Sequence, residues 1–373
     1  MLRQQLNILI SGGGTGGHIF PAIAIADAIK SKSGDASILF VGAKGRMEME
    51  KVPLAGYPIR GLWISGFQRS FTLKNFLFPI KVAVSLFTAG RILKQFKPNV
   101  VVGVGGYASG AICKMAIRKN IPVVIQEQNS FPGITNKLLA KDASKICVAY
   151  DGMEKYFPAG KLIRTGNPVR KAVIETAGKR DEAFEFFNLQ KGKLVVLVVG
   201  GSQGAKAINV SIDENLSLFT ENNLQLIWQT GKNYTSKVVA EKSENPGSNS
   251  FKNIHSVAFI ERMDLAYAAA DIVVSRAGAI AISELCAVGK ACIFVPLPTA
   301  AENHQEKNAL ALVEKQAALY LKNDQAKQKL GQLILDLAQD EKMRNELSQN
   351  IKLLAVSDSA GKIADEVLKL ARK

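Results

Sequence analysis

Four stretches of this sequence carry residue types and spacings suited to holding phosphates and sugars. The first, Ser11-Gly-Gly-Gly-Thr-Gly-Gly-His18, packs five glycines into six positions and ends on a histidine. Bare backbone there lets an anion approach the N–H groups at a helix start, and an imidazole suits proton transfer near neutral pH. Gly12-x-Gly14-x-x-Gly17 also satisfies the dinucleotide fingerprint, which wants a carboxylate about 20 residues on to hold a ribose. The end of the next strand reads Val41-Gly42-Ala43-Lys44, with no carboxylate. A nicotinamide enzyme is therefore disfavoured, with Lys44 and Arg46 keeping only NADP in view.

The second stretch, Gly200-Gly201-Ser202-Gln203-Gly204, fits the G-x-S-x-G nucleophile elbow. A hydrolase would then need an acid and a histidine downstream, and Asp271 and His304 are the nearest. The same small residues equally make a phosphate-binding turn in which hydroxyl and backbone N–H groups donate to an anion. The third stretch runs from Ser275-Arg276-Ala277-Gly278 through Ala279, Ile280, Ala281, Ile282 and Ser283 to Glu284. A helix starting near Ala279 would aim its N–H groups and positive dipole end at a diphosphate. Glu284, about a turn and a half inside, could accept both hydroxyls of a ribose. The fourth, Pro296 to Asn308, offers amides and carboxylates, Gln305 among them, for sugar hydroxyls.

These loops need rigid elements behind them. Short Val/Ile runs alternate with helical patterns along the chain, as in parallel α/β folds whose strands are buried on both faces. Strands are expected at Asn7–Ser11, Ile38–Val41, Val100–Val104, Val123–Gln126 and Lys145–Ala149. A second series is expected at Leu194–Val199, Gln225–Gln229, Ile254–Ala258, Ile272–Ser275 and Ala291–Val295. Each series opens with a strand feeding a glycine-rich turn, and 373 residues exceed what one core usually serves. Two Rossmann-like domains follow, parting near Thr165-Gly166-Asn167-Pro168, with helices from Leu330 to the end. Doubly wound sheets carry sites at the carboxyl ends of their strands, so two such domains would share a cleft.

The net charge of +16 is unevenly spread. Residues 1–166 hold 22 Lys/Arg against 8 Asp/Glu, and Lys51 to Gln126 hold eleven basic residues and no acidic one. That window also contains Trp63, Phe67, Phe71, Phe76 and Phe78 beside Lys74 and Lys81. Basic charge interleaved with large apolar groups suits an anionic membrane surface, each Lys/Arg adding about 1 kcal/mol. Residues 75–90 are broken by Pro79 and Lys81 and fall short of a spanning helix. Nucleic acid is disfavoured because no recognised binding motif accompanies the charge. Four cysteines without a CxxC pair and three scattered histidines argue against a disulfide scaffold or zinc module. No apolar leader precedes the first strand, so secretion is not expected.

GGTGGHIFPA (13–22), VGVGGYASG (102–110), EQN (127–129), GNPVR (166–170), VVGGSQGA (198–205), SRAGAIAISEL (275–285) and HQEKNA (304–309) occur together in order. In these seven motifs, over nearly its whole length, the sequence resembles the bacterial peptidoglycan glycosyltransferases that make lipid II from lipid I, the MurG family of glycosyltransferase family 28. The resemblance implies a GT-B fold: α/β, two Rossmann-like domains whose parallel sheets face across a cleft. It implies an N-terminal domain over 1–166 for acceptor and membrane, a UDP-GlcNAc domain over 167–345, and a helix in 346–373 packing back on the first domain. The donor would be UDP-GlcNAc and the acceptor undecaprenyl-diphosphoryl-MurNAc-peptide (lipid I).

Carried over by motif, Thr15, Gly16 and Gly17 line the donor-facing loop, Asn129 and Arg170 contact the donor, and Ser202 lies at its phosphates. Ile260 would meet the uracil through backbone, Ala279 to Glu284 would carry diphosphate and ribose, and Gln305 the GlcNAc hydroxyls. Ala281 departs from the family, where Thr is frequent, and a phosphate contact could be trimmed there. The implied reaction is inverting: the MurNAc 4-hydroxyl displaces UDP from the anomeric carbon. His18 is the candidate base, the alternative being that it positions the acceptor diphosphate or caps the loop. No D-x-D motif occurs, so no metal or other cofactor is expected. The implied location is the cytoplasmic face of the bacterial inner membrane, as a peripheral protein, with other cell-wall enzymes as possible partners. A related GT-B transferase, a UDP-GlcNAc 2-epimerase and a non-catalytic nucleotide-binding module are the competing readings.

Overall fold

The computed structural model describes residues 5–65, 78–201, 203–244, 251–300 and 303–372. Phe67, Phe71, Lys74, Phe76 and Ser202 therefore lie outside the described residues. The chain divides into two compact units, one formed by Met1–Arg170 with Val356–Lys373, the other by Lys171–Ala355.

In the first unit the elements run β1 (Asn7–Gly12), α1 (Gly16–Lys32), β2 (Ser37–Ala43), α2 (Glu48–Leu54), β3 (Ile59–Leu62), α3 (Phe78–Phe96) and β4 (Val100–Gly105). Then follow α4 (Tyr107–Arg118), β5 (Val123–Glu127), α5 (Ile134–Ala140), β6 (Lys145–Val148) and β7 (Leu162–Arg164). Seven parallel strands lie in the order β3-β2-β1-β4-β5-β6-β7. The order reverses at β1, and β1 and β4 leave the sheet side by side there, the place where doubly wound folds bind ligands. Side-chain alternation builds a core on each face: Ile8 and Ile10 pack toward α1, while Leu9 packs toward α3 and α4. Burying each such side chain contributes about 1.5–3 kcal/mol.

The second unit repeats the plan with β8 (Val195–Val199), α6 (Lys206–Glu214), β9 (Gln225–Gln229), β10 (Ile254–Val257), α7 (Met263–Ala269) and β11 (Ile272–Ser275). It continues through α8 (Ala279–Val288), β12 (Ala291–Phe294), α9 (His304–Val313), β13 (Leu319–Tyr320), α10 (Ala326–Gln339) and α11 (Glu341–Leu353). Its six parallel strands are ordered β10-β9-β8-β11-β12-β13. All ten expected strands are present. Three more, β3, β7 and β13, are two to four residues long and flank the ones the sequence made evident.

The chain then returns to the first unit as α12 (Ser359–Ala371), which packs along α1 through Ile363, Ala364, Val367 and Leu368. The expected division at 345/346 falls inside α11, a helix packed on α8 and β12 of the second unit. The structural break comes later, between Ala355 and Val356, where Asp358 accepts the Gly361 N–H at 3.2 Å and caps α12. Likewise the first division comes after Arg170 and not at 166/167.

Candidate functional site

In the first unit the glycine loop turns from β1 into α1 with Gly14 at φ +88°, a left-handed value that favours glycine. This turn sends the Gly14 N–H inward to Glu48 Oε2 at 3.0 Å. Glu48 Oε1 accepts the Ala43 N–H at 2.9 Å, so this fully buried carboxylate ties the loop to the end of β2. The carboxylate missing from Val41–Lys44 is thus supplied from the first residue of α2, but it faces backbone N–H groups and not a ribose.

His18, in the first turn of α1, sets Nδ1 3.1 Å from the Gly13 carbonyl oxygen, with Thr15 Oγ1 at 3.5 Å. A carbonyl only accepts, so the proton is assigned to Nδ1 and the Nε2 lone pair is left available. Burial lowers the pKa of His18 below 6.5, opposed by the charge of Glu127, the Gly13 carbonyl and the charge of Glu48. A side chain at position 105 would stand 2.7 Å from Nε2, and glycine there keeps that edge of the ring uncovered.

Glu127 ends β5 and is equally buried. It accepts from the Asn129 N–H (3.0 Å), Asn129 Nδ2 (3.2 Å), the Gly133 N–H (3.1 Å) and Asn136 Nδ2 (2.8 Å). Asn129 is therefore oriented by the strand it follows. Gln126 Nε2 donates to Asn167 Oδ1 at 3.2 Å and Asn167 Nδ2 to the Gln128 carbonyl at 3.1 Å, joining this loop to the turn that leads to Arg170. The Arg170 guanidinium stacks 4.4 Å from the Phe20 ring, with Nε buried and without a hydrogen bond. The first unit thus gathers Thr15, Gly16, Gly17, His18, Asn129 and Arg170 at the carboxyl ends of its strands.

The second unit holds its loops with neutral amides. Gln229, 2% exposed at the end of β9, donates from Nε2 to the Gly201 carbonyl at 3.0 Å and accepts the Ile260 N–H at 2.9 Å. The Ile260 N–H is therefore already engaged, and its carbonyl is the backbone group not bound in this way. Asn209 accepts from Trp228 Nε1 at 3.2 Å and donates to the Thr230 carbonyl at 2.7 Å. Gly204 passes so close to Thr230 that a Cβ would lie 2.1 Å from its carbonyl oxygen. Loop and neighbour thus pack backbone against backbone.

Helix α8 starts at Ala279, as expected, behind Gly278. Glu284 receives a hydrogen bond from the buried Tyr267 hydroxyl at 3.0 Å. Ser283 Oγ donates back to the Ala279 carbonyl at 2.9 Å. The Ile282 side chain belongs to the apolar core, so any ligand contact from it is restricted to backbone; Ile280, Ala281 and Glu284 are partly exposed. Gln305 Oε1 accepts the Leu297 N–H at 3.0 Å, leaving its amide N–H groups to donate. Arg276, its pKa lowered to about 10 by burial, donates to the carbonyls of Val295 and Pro296 and to Asn323 Oδ1. Asp271 accepts from Arg180 and from the Val195 N–H at the opening of β8, whereas Gly200–Gly204 follows that strand's other end. The acid of the hydrolase reading is therefore misplaced. Sequence reasoning overlooked Glu48, Gln229 and Tyr267, none of which belongs to a recognisable motif.

On the first unit's surface, Lys81 Nζ donates to Ser65 Oγ at 3.0 Å and lies 5.6 Å from the Trp63 ring centroid. Phe78 is half-buried. The exposed apolar residues continue along α3 as Ile80 (53%), Val84 (41%) and Phe87 (68%), one helical face, with Arg91 over the Phe87 ring. Among the described residues no helix is long and apolar enough to cross a membrane, and no group of three or more His, Cys, Asp or Glu could hold a metal ion.

The model of the glycosyltransferase family 28 N-terminal domain matches residues 8–148, and that of the family 28 C-terminal domain matches residues 195–363. A protein of Bacteroides thetaiotaomicron named UDP-N-acetylglucosamine--N-acetylmuramyl-(pentapeptide) pyrophosphoryl-undecaprenol N-acetylglucosamine transferase is 52% identical over 371 residues, 99% of each chain. A protein of the same name from Christiangramia forsetii is 51% identical over 369 residues, again 99% of each. Among solved structures, MurG of Acinetobacter baumannii matches with a TM-score of 0.74 at 27% identity, covering 98% of this chain and 100% of that one.

Proposed function

We propose that this chain, which belongs to glycosyltransferase family 28, moves GlcNAc from UDP-GlcNAc to the 4-hydroxyl of MurNAc in undecaprenyl-diphosphoryl-MurNAc-peptide. The observation that carries the reading is its identity of about half, over essentially full length, with relatives named for that transfer.

Donor recognition is assigned to the second unit. The N–H groups at the start of α8 face the diphosphate, with the hydroxyl of Ser202 added. Glu284, oriented by Tyr267, accepts the ribose hydroxyls, and Gln305 donates to GlcNAc. The Ile260 carbonyl accepts from the base, its register fixed by Gln229. Acceptor activation is assigned to His18. The MurNAc oxygen attacks the anomeric carbon, the bond to UDP breaks with its electron pair, and inversion gives the β-linkage. The hydroxyl proton passes to Nε2, the nitrogen that geometry leaves unprotonated. The leaving diphosphate is stabilised by N–H groups already aligned before the bond breaks, so that the transfer is proposed to need no metal.

A polyprenyl acceptor stays in a bilayer, so the enzyme works at the cytoplasmic membrane surface. The exposed face Ile80–Val84–Phe87, with the basic residues around it, is the contact we assign, extending beyond the Trp63–Ile80 segment that the sequence marks. Replacing Ile80 and Phe87 by Ser removes up to about 3–6 kcal/mol of burial in lipid. Sedimentation with anionic vesicles should fall steeply, while turnover of a short-chain soluble acceptor stays the same; equal loss of both would remove the membrane assignment.

The deciding experiment is UDP release from UDP-GlcNAc with and without a short-chain lipid I analogue, in the presence of EDTA. Acceptor-dependent release is expected. Release without acceptor would overturn the transfer in favour of an epimerase or hydrolase, and donor binding without release would make the chain a binding module.

A further inference from the structure

The Gly14 N–H that donates to Glu48 and the Gly13 carbonyl that accepts from His18 are the two ends of one peptide group. Carboxylate, peptide and imidazole are thus hydrogen-bonded in series, at 3.0 Å and 3.1 Å. The surroundings leave this peptide little freedom. A Cβ on Gly13 would stand 2.1 Å from Glu48 Oε1, and one on Gly106 would stand 2.5 Å from the Gly13 oxygen. Glu48 itself is fixed by its second bond, to the Ala43 N–H.

We infer that Glu48 is a positioning residue that acts on His18 through the peptide group joining Gly13 and Gly14. The inference rests on the assignment of His18 as the base. A peptide whose N–H leans on a carboxylate is polarised, and its carbonyl becomes a stronger acceptor. That carbonyl holds the Nδ1–H tautomer and turns the Nε2 lone pair outward. When Nε2 takes the proton of the attacking hydroxyl, the Nδ1–H bond to Gly13 strengthens, and Glu48 supports the charge from the far end of the peptide. Because no carboxylate among the described residues hydrogen-bonds the ring, the imidazole stays neutral at rest, with burial outweighing both nearby charges, Glu48 at the start of α2 and Glu127 at the end of β5. Glu48 is thus the counterpart of a carboxylate that orients a catalytic histidine directly, with one peptide group inserted between them.

The test separates this linkage from the assignment of the base. Nitrogen-15 imidazole spectra report the tautomer and titration of each of the three histidines, and His18→Asn assigns the His18 signal. In the unaltered protein the Nδ1–H tautomer is expected, and a spectrum showing the proton on Nε2 overturns the inference without any variant. In Glu48→Gln one backbone N–H loses its acceptor and the charge is gone. The tautomer should become mixed, the His18 midpoint should move to lower pH, and kcat should fall about tenfold, less than loss of the base itself. The acid limb of kcat should move down with the midpoint, and the KM for UDP-GlcNAc should stay within about twofold. An unchanged tautomer and midpoint in Glu48→Gln overturns the linkage. A changed tautomer and midpoint with unchanged kcat upholds it and removes His18 as the base.

Discussion

The first strand of each unit runs into a glycine-rich loop and a helix, yet the groups holding the two loops differ in kind. Beneath Gly12–His18 the buried anchor is the carboxylate of Glu48, and a second buried carboxylate, Glu127, acts on His18 through its charge. Beneath Gly200–Gly204 it is the neutral amide of Gln229, with the amide of Asn209 holding the Thr230 carbonyl against which Gly204 packs. Both kinds satisfy backbone N–H or C=O groups, so for folding they are nearly interchangeable. For the ligand they are not. Negative charge under a loop works against a phosphate and favours a group that becomes cationic in the reaction, whereas uncharged anchors leave the dipole of a helix start free to attract an anion. On the reading proposed above, the same architecture is thereby divided into a base-bearing loop and an anion-bearing one.

The sharpest way to break this comparison is His18→Asn. It should cost roughly 10²–10⁴ in kcat while leaving the calorimetric affinity for UDP-GlcNAc intact. With His18 present, activity should fall as pH drops through its lowered pKa, so the acid limb is expected below 6.5. A limb above 6.5 would contradict the burial that sets it. Next in size, Gln229→Glu puts a carboxylate under the second loop. The Ile260 N–H keeps its acceptor, the donor to Gly201 is lost, and a negative charge appears beneath the diphosphate site. Affinity for UDP-GlcNAc should fall about tenfold to a hundredfold, with kcat at saturation little changed. Equal affinity would show that the charge of the anchors is immaterial. The smallest effect is expected of Tyr267→Phe, which removes one hydrogen bond to Glu284, worth about 0.5–1.5 kcal/mol. It should raise the KM for UDP-GlcNAc up to about tenfold, and less for a donor lacking the ribose hydroxyls.

The sequence made the scaffold of this division legible but not the division itself. Buried parallel strands announce themselves as Val/Ile runs, and glycine clusters after them announce loops that ligands approach. Glu48 is not legible in the sequence because the acid that reaches the end of β2 comes from the following helix and not from the strand itself. Gln229 is an ordinary polar residue in a strand until its two bonds are seen. Ile282 fits a ligand-facing motif by position, but helical periodicity turns its side chain into the core. The division expected at 345/346 has no mark in the sequence, since α10 and α11 continue one pattern of Leu and charge across Asp340. The capping Asp358, in a left-handed conformation, is the mark of the true boundary.

That boundary has a consequence for the order of assembly on the ribosome. The face of α1 that Ile363, Val367 and Leu368 cover is made within the first 32 residues and stays bare until the final 18 emerge. The second unit, continuous from Lys171 to Ala355, has its whole sequence out of the ribosome first. The unit begun first is therefore completed last, and a nascent chain stalled before α12 carries an uncovered apolar stripe through the whole synthesis of its neighbour.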